Sequence, residues 1–579
     1  MFASLKTIGE LKRTTGSSLP VQEIKPKGKG PHVFRLIIFD NDQHMVTHED
    51  IEFTSNTVHE WRYVGNAKAN KPMDRLTTTG LNYILGFDKN KEIEKPNKWV
   101  LNVAQSIPKV GEYLKRVTSW YSPEEWKDKI GEDWFNAVLY SVAVKEKGER
   151  IDLAKLKEYE EYILGMGADE KGEVRCQLCG RPTSMDNPDY PGGTLLKIYI
   201  TDKKGFTSGI HDSREARFRT HVVCRDCKNL LELGQRFIMD KMQIRVGKLS
   251  AYVVPSIAKG NNPKVLDLIK VEGSGWIVSF ESLRKTEIEV YDEADFMNWV
   301  YAVTLIWGSA QQSKFSVSRV MYDISFPRFL EVKRVSGELE RGLSIKDLTG
   351  WSLDVNALYA VTPIKESSRG VIATPFLDIM SSILEGYSLD RTYVLSSFLQ
   401  VMKCVRTGTC QNSLSMKLSL EKASLISTGF IRLLEQLSDM SLTQTSKDSI
   451  SDPKEYAESL GLTKGKKGLF LLGVVTASVG TAQWKKGDKK KAVLDRIDFE
   501  GMDLSDVRVY ASRLMESLRD YNILKYNEGL LGEAVSMINE DKESLSSPEE
   551  NVFWILSGYS WRTLNLMKSG EIKEEEEND

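Results

Sequence analysis

Two paired cysteine turns, strand-like runs on both sides of them, and a succession of helical patterns towards the C-terminus predict an α+β multidomain protein. A mixed α/β N-terminal region carries a zinc-clamped insertion and is followed by an all-α C-terminal helical bundle. At 579 residues and 65.6 kDa the chain exceeds what one hydrophobic core organises. Its 41% hydrophobic and 28% charged residues are ordinary globular composition, and a net charge of −2 gives no overall attraction to polyanions. A polyanion-binding surface must come from local segregation of charge.

Residues 1–169 read as the mixed α/β domain. The first thirty residues carry Lys6, Lys12, Arg13, Lys25, Lys27 and Lys29 against Glu10 and Glu23, a basic segment punctuated by Gly and Pro. Strand-like runs follow at His32 to Asp40 and Trp99 to Ile107, and a helical stretch at Ile151 to Leu164. The cysteine segment, 170–250, places 44 residues between Cys179 and Cys224, with a strand candidate at Leu195 to Asp202 and the basic residues Arg214, Arg217 and Arg219. Ala251 to Ile257 and Gly275 to Phe280 then suggest that the α/β region continues over 251–370.

From about residue 371 helix follows helix. Thr374 is placed as an N-cap before Pro375, and Gly386 stands where a C-terminal glycine belongs. Leu504, Val507, Ala511, Leu514, Leu518 and Tyr521 recur at amphipathic helical spacing. The polar link Ser441 to Asp452 divides a helical connector, 371–440, from a terminal bundle, 441–579, whose Glu574 to Glu577 run is an acidic tail. The apolar run Leu469 to Gly480 is shorter than the roughly 20 residues a bilayer crossing needs, so no membrane partner is expected.

Cys176-x2-Cys179 and Cys224-x2-Cys227 use four of the six cysteines. Each C-x2-C turn aims two sulfurs at one point, so two of them close a tetrahedral zinc site with no position left for water: a structural ion. His221, three residues before Cys224, is either an alternative ligand or a packing residue. With Cys404 and Cys410 left over, the thiol chemistry suits a reducing cytoplasm better than a disulfide scaffold.

Lys464, Lys466, Lys467, Lys485, Lys486, Lys489, Lys490 and Lys491 face the single Asp488 and flank the apolar helix Leu469 to Ala482, with Trp484 beside the second group. They read either as solvated helix ends or as phosphate-backbone contacts. Lys68, Asn70, Lys71 and Arg75 lie on a Gly/Pro-marked segment, either a plain surface loop or one able to reach base edges. Asp40 and Asp42 end a strand as D-x-D, a placement that serves magnesium or simply a turn. No P-loop, dinucleotide-binding glycine motif, nucleophile elbow or H-E-x-x-H occurs, so the chain argues mildly against an enzyme. The alternative is a zinc-dependent nuclease or hydrolase acting on nucleic acid, which requires Asp40, Asp42 and a distant carboxylate to converge on a second metal. A third reading is a zinc-ribbon adaptor that binds proteins.

CQLCG and HVVCRDC, then KGLFLLGVVTASVGTAQ around Phe470, Leu472, Gly473 and Gln483, followed by IDFEGMDLSDV, resemble the large subunit of type I-B CRISPR Cascade complexes. TTTGLNYILGF, from Thr77 to Phe87, is similar to the N-terminal domain of such subunits. The resemblance implies a non-catalytic cytoplasmic protein that anchors crRNA, checks the protospacer-adjacent motif on double-stranded target DNA and steadies the displaced strand of the R-loop. It implies backbone and small subunits as neighbours and a helicase-nuclease recruited in trans. It also implies that a small-subunit-like product could start near Met440. Lys25, Lys27, Lys29, the Lys68 to Arg75 loop, Arg214, Arg217, Arg219 and the lysines of 464–491 with Trp484 are then the candidate nucleic-acid contacts.

Overall fold

A computed structural model describes residues 1–14, 21, 24, 26, 31–65, 75–164, 174–183, 190, 192–198, 221–257, 300–310, 314–367, 370–438, 450–487 and 491–572. They form two compact units, one built from Met1–Asp240, the other from Lys241–Ala258 and Ser316–Asp579 together with the strand before it. The architecture is the expected one: a mixed α/β region with the four-cysteine group in its insertion, then helices to the C-terminus.

The first unit opens with helix α1 (Phe2–Thr14), whose Leu5, Ile8 and Leu11 are buried along one face. Strands β1 (Val33–Asp40), β2 (Met45–Glu52), β3 (Thr77–Thr78), β4 (Leu139–Glu146) and β5 (Glu149–Asp152) make a sheet in the order β2-β1-β4-β3, with β5 on β4. Central β1 runs parallel to β4 and antiparallel to β2. Its continuous apolar run is buried on both faces at Phe34, Leu36, Ile37 and Phe39.

Trp99 to Ile107 is helical, not a strand: Val100–Val103 and Ala104–Ser106 are single helical turns. Its buried residues, Val100, Leu101, Ala104 and Ile107, repeat at helical rather than alternate spacing. The second strand candidate, Leu195 to Asp202, starts as a 3-10 turn, Leu195–Ile198, with Leu195 and Leu196 both buried and the Leu196 N–H donated to Gln235 Oε1 at 2.9 Å. Its remainder and Gly275 to Phe280 lie outside the described residues. Short strands β6 (Val174–Arg175) and β7 (Pro182–Thr183) pair antiparallel, and helix α2 (Arg225–Lys241) closes the unit.

The second unit begins with its own sheet. Strands β8 (Gln243–Val246), β9 (Leu249–Ile257), β10 (Val300–Ala310) and β11 (Phe315–Ser325) follow the order β11-β10-β9-β8. Helices start at Phe326, well before residue 371, with α3 (Phe326–Gly342). In α4 (Thr374–Glu385) the N-cap is Ala373, so Thr374 is the first helical residue; Gly386 takes the left-handed conformation expected of it. The bundle continues with α5 (Arg391–Thr407), α6 (Leu420–Ser438), α7 (Pro453–Ser459), α8 (Lys464–Lys485), α9 (Leu504–Asp520), α10 (Leu524–Glu540) and α11 (Pro548–Lys568). Left-handed Gly408 reverses the chain after α5, and Cys404 and Cys410 form a disulfide with Cα atoms 5.0 Å apart, so the two leftover cysteines are not free thiols.

Helix α8 is the axis of the bundle, packed against α11 on one side and α10 on the other. A Cβ on Gly473 would overlap the Ile555 carbonyl oxygen, and one on Gly558 would overlap that of Phe470. The two backbones touch because both residues are glycine. Helix α6 lies in the same core: Thr428 and Ser557 hydroxyls are 2.8 Å apart, and Leu425, Ile426, Phe430 and Leu433 are buried. Met440 and most of the polar link lie outside the described residues, but helices on either side of them share one interior.

Two alanine substitutions in helices therefore have opposite signs. Gly473→Ala forces α8 and α11 apart and lowers stability by about 1–3 kcal/mol. Gly529→Ala in α10, where a Cβ meets nothing within 4 Å, raises it by up to about 1 kcal/mol through helix propensity. Chemical denaturation of the two variants measures both; shifts of one sign would contradict the packing.

Candidate metal centre

The first knuckle sits on the β6–β7 hairpin. Cys176 N–H donates to the Arg181 carbonyl at 2.8 Å and Gly180 N–H to the Cys176 carbonyl at 2.9 Å. Gly180 has a φ of +73°, the left-handed turn that folds Cys179 back towards Cys176. The second knuckle is the start of α2, where Cys224 precedes the helix, Cys227 lies in its first turn, and Cys227 N–H points at Cys224 Sγ at 3.4 Å. Gln177 ties the knuckles together, its N–H donating to the Val222 carbonyl at 3.0 Å and its Oε1 accepting from Val222 N–H at 3.3 Å.

All four sulfurs lie within 4.8 Å of one another, with Cys179 and Cys224 3.6 Å apart. A tetrahedron with Zn–S bonds of about 2.3 Å needs S–S edges of about 3.8 Å, so the set fits zinc. Cys176, Cys224 and Cys227 are buried and Cys179 is partly exposed. Hydrogen bonds from Cys224 and Cys227 pull the Cys176 thiol far down, and the bond to Cys176 pushes Cys224 up to about 12 and Cys227 further. Four thiolates coexist only around a cation. The group could hold a metal, and zinc is consistent with its donors.

His221 is not a member of the sulfur set. It is buried, its Nε2 lies 2.7 Å from the Tyr190 hydroxyl, and its ring stacks on Phe2 at 4.7 Å; burial lowers its pKa. That contact leads to α1, which the sequence presented only as a basic segment. Gly9 lies against the Leu230 carbonyl and Gly234 against that of Leu5, so α1 and α2 cross backbone to backbone. Arg13 binds Asp226 at 2.7 Å, Arg181 binds it at 3.1 Å from the other knuckle, and Lys12 lies 4.6 Å over the Phe237 ring. Burial opposes the charge on Lys6, but Glu10 and then the sulfurs of Cys227 and Cys179 outweigh it and raise its pKa. The spacing of Gly9 between Leu5 and Leu11 was the only local sign of this crossing.

The carboxylates that the nuclease reading assigns to a second metal are engaged in turns. Asp40 Oδ1 accepts the N–H groups of Asp42 and Gln43 at 2.9 and 3.0 Å, and its other oxygen pairs with Lys145 at 3.2 Å. Asp42 accepts the N–H groups of Lys147 and Gly148 at 3.0 and 2.9 Å, which lowers its pKa. Among the described residues the four cysteines are the one group of metal-ligating side chains drawn together.

The lysine group of 464–491 divides. Lys491 is buried and pairs with Glu421 at 3.1 Å, where the Tyr559 hydroxyl also donates at 3.2 Å. Burial works against the Glu421 carboxylate, yet Lys491 outweighs it and holds the pKa low. Lys466 pairs at 2.9 Å with Glu550, which also receives Arg391 at 2.8 Å and the Trp554 indole at 3.0 Å. Lys491 and Lys466 are therefore engaged by carboxylates within the bundle. Lys464 pairs with Glu540, and Lys467 lies 3.7 Å from Glu458. Lys485 and Lys486 are exposed after half-buried Trp484. Arg75 is half-buried just ahead of β3. Lys25, Lys27, Lys29, Lys68, Asn70, Lys71, Arg214, Arg217, Arg219, Lys489 and Lys490 lie outside the described residues.

Residues 173–324 match the family model for the central domain of CRISPR-associated protein TM1802, and residues 353–573 match the model for its C-terminal domain. No curated protein matches the chain.

Cys227→Ser should lose bound zinc by elemental analysis. Because α1 crosses the helix that carries Cys227, hydrogen exchange over residues 5–11 should then lose protection by about tenfold or more, as expected for loss of a contact such as Arg13–Asp226. Full protection of α1 without the metal would contradict the coupling.

Proposed function

A chain that carries the central and C-terminal domains of the TM1802 family is a CRISPR-associated protein, and from that premise we propose that it is the non-catalytic large subunit of a type I-B, crRNA-guided DNA surveillance complex. In this role it holds the crRNA, reads the protospacer-adjacent motif, stabilises the R-loop and presents a surface to a helicase-nuclease. Base pairing reads the target, so the protein needs charge, shape and a short duplex-reading surface, not a hydrolytic site.

The succession of the two family domains carries the reading. The four-sulfur group supports it as a clamp, since a closed set of thiolates leaves no ligand position for water. The nuclease alternative needs free carboxylates at Asp40 and Asp42, and both are bonded to backbone N–H groups of turns. The family's C-terminal domain spans residues on both sides of Met440, and α6 shares its interior with α8 and α11. We propose that this region acts as one body; a product starting near Met440 would have to replace the packing of α6.

Binding of target DNA by the purified assembly should fall about a thousandfold between 50 and 200 mM salt, because phosphate contacts release counterions. Fluorescence anisotropy measures this. Salt-independent binding would favour the protein-binding adaptor, and DNA cleavage by the isolated chain that disappears in Asp40→Ala/Asp42→Ala would favour the nuclease.

A further inference from the structure

The end of the bundle where α8 stops and α9 turns into α10 gathers cations and aromatic rings. Lys485 and Lys486 leave the last turn of α8 exposed, and Lys486 Nζ lies 4.5 Å over the ring of Tyr521, the residue that ends α9. Asn522, with a φ of +57°, turns the chain into α10. Lys525 follows, its Nζ 4.7 Å over the ring of Tyr526, which is 74% exposed. No other large apolar or aromatic side chain among the described residues is as exposed.

The lysines here differ from those at the start of α8 and from Lys491. Lys464, Lys466, Lys467 and Lys491 each have a carboxylate partner. Lys485, Lys486 and Lys525 have none among the described residues, although Asp520 and Glu528 are close along the chain. Lysines after α8 suit the negative end of that helix, which is the bland explanation for two of them. It fails for Lys525, which stands in the first turn of α10, where the helix dipole disfavours a cation and no acidic residue compensates.

Ammonium groups set beside tyrosine rings, one half-buried at Tyr521 and one exposed at Tyr526, are the chemistry that holds single-stranded nucleic acid: cations follow the phosphates, and unstacked bases lie on aromatic faces. We propose that Lys486, Tyr521, Lys525 and Tyr526, with Lys485 at the margin, form a single-strand contact in which Tyr526 stacks a base and the lysines neutralise the flanking phosphates. This deepens the proposed function and rests on it, giving that role a location. A duplex keeps its bases stacked and would gain only the electrostatic part.

The test uses the full chain, within its assembly where one forms, and a fluorescein-labelled oligothymidylate beside a duplex of equal length. Tyr526→Ala should weaken single-strand binding about tenfold, Tyr526→Phe should restore it, and duplex binding should be unchanged by either. Lys486→Gln/Lys525→Gln should lower the slope of log affinity against log salt by about 1.4, two phosphates' worth for a single strand. Lys403→Gln, which removes an exposed lysine already paired with Glu500, should leave the slope unchanged. Wild-type affinity and slope in the Tyr526 and lysine variants, with the parent binding normally, would overturn the assignment and leave the proposed function standing. A parent that binds neither oligonucleotide would overturn both. Loss of assembly in Tyr526→Ala with single-strand affinity intact would overturn the assignment in favour of a protein contact.

Discussion

Where two helices cross so closely that a carbonyl oxygen occupies the place of a Cβ, only glycine fits, and each unit of this chain is organised around such a crossing. In the first, Gly9 and Gly234 let α1 lie on the helix that carries Cys227. In the second, Gly473 and Gly558 let α8 lie on α11. Contacts of this kind are directional and intolerant, because a backbone cannot rotate away as a side chain can. They fix the neighbouring side chains: the Arg13–Asp226 pair beside the sulfur group, and the hydroxyl, carboxylate and ammonium contacts that bind α6 to the bundle.

The same arrangement decides which charges are available. A lysine count treats Lys466, Lys491, Lys485 and Lys486 alike. Packing does not: Glu421 holds Lys491 inside the bundle and Glu550 pairs with half-buried Lys466, while the last two project from the end of α8. Stripping solvent from a lysine is costly unless a carboxylate receives it, so buried Lys491 comes with buried Glu421. Among the described residues, Lys486 at the end of α8 lies over Tyr521.

What was legible in the residues was what local geometry determines. The two C-x2-C turns predicted one sulfur cluster because each turn fixes two ligands within four residues, and the apolar spacing of α9 predicted its buried face. Trp99 to Ile107 was misread because a short apolar run carries both periods, and only burial at Val100, Leu101, Ala104 and Ile107 separates them. The docking of α1, the fates of Lys466 and Lys491, and the meeting of Lys486 with Tyr521 depend on partners far along the chain, which no window of sequence contains. The glycines of KGLFLLGVVTASVGTAQ were visible, but that Gly473 and Gly480 touch α11 and Gly468 touches α10 required the fold.

Native mass spectrometry of material purified through this chain, co-expressed with its neighbouring genes, decides whether it is a subunit of the proposed surveillance complex. The expected species is an assembly containing this chain with one zinc, a short RNA and repeated copies of other subunits. A free monomer carrying neither RNA nor partner, from cells that express all of them, would contradict it.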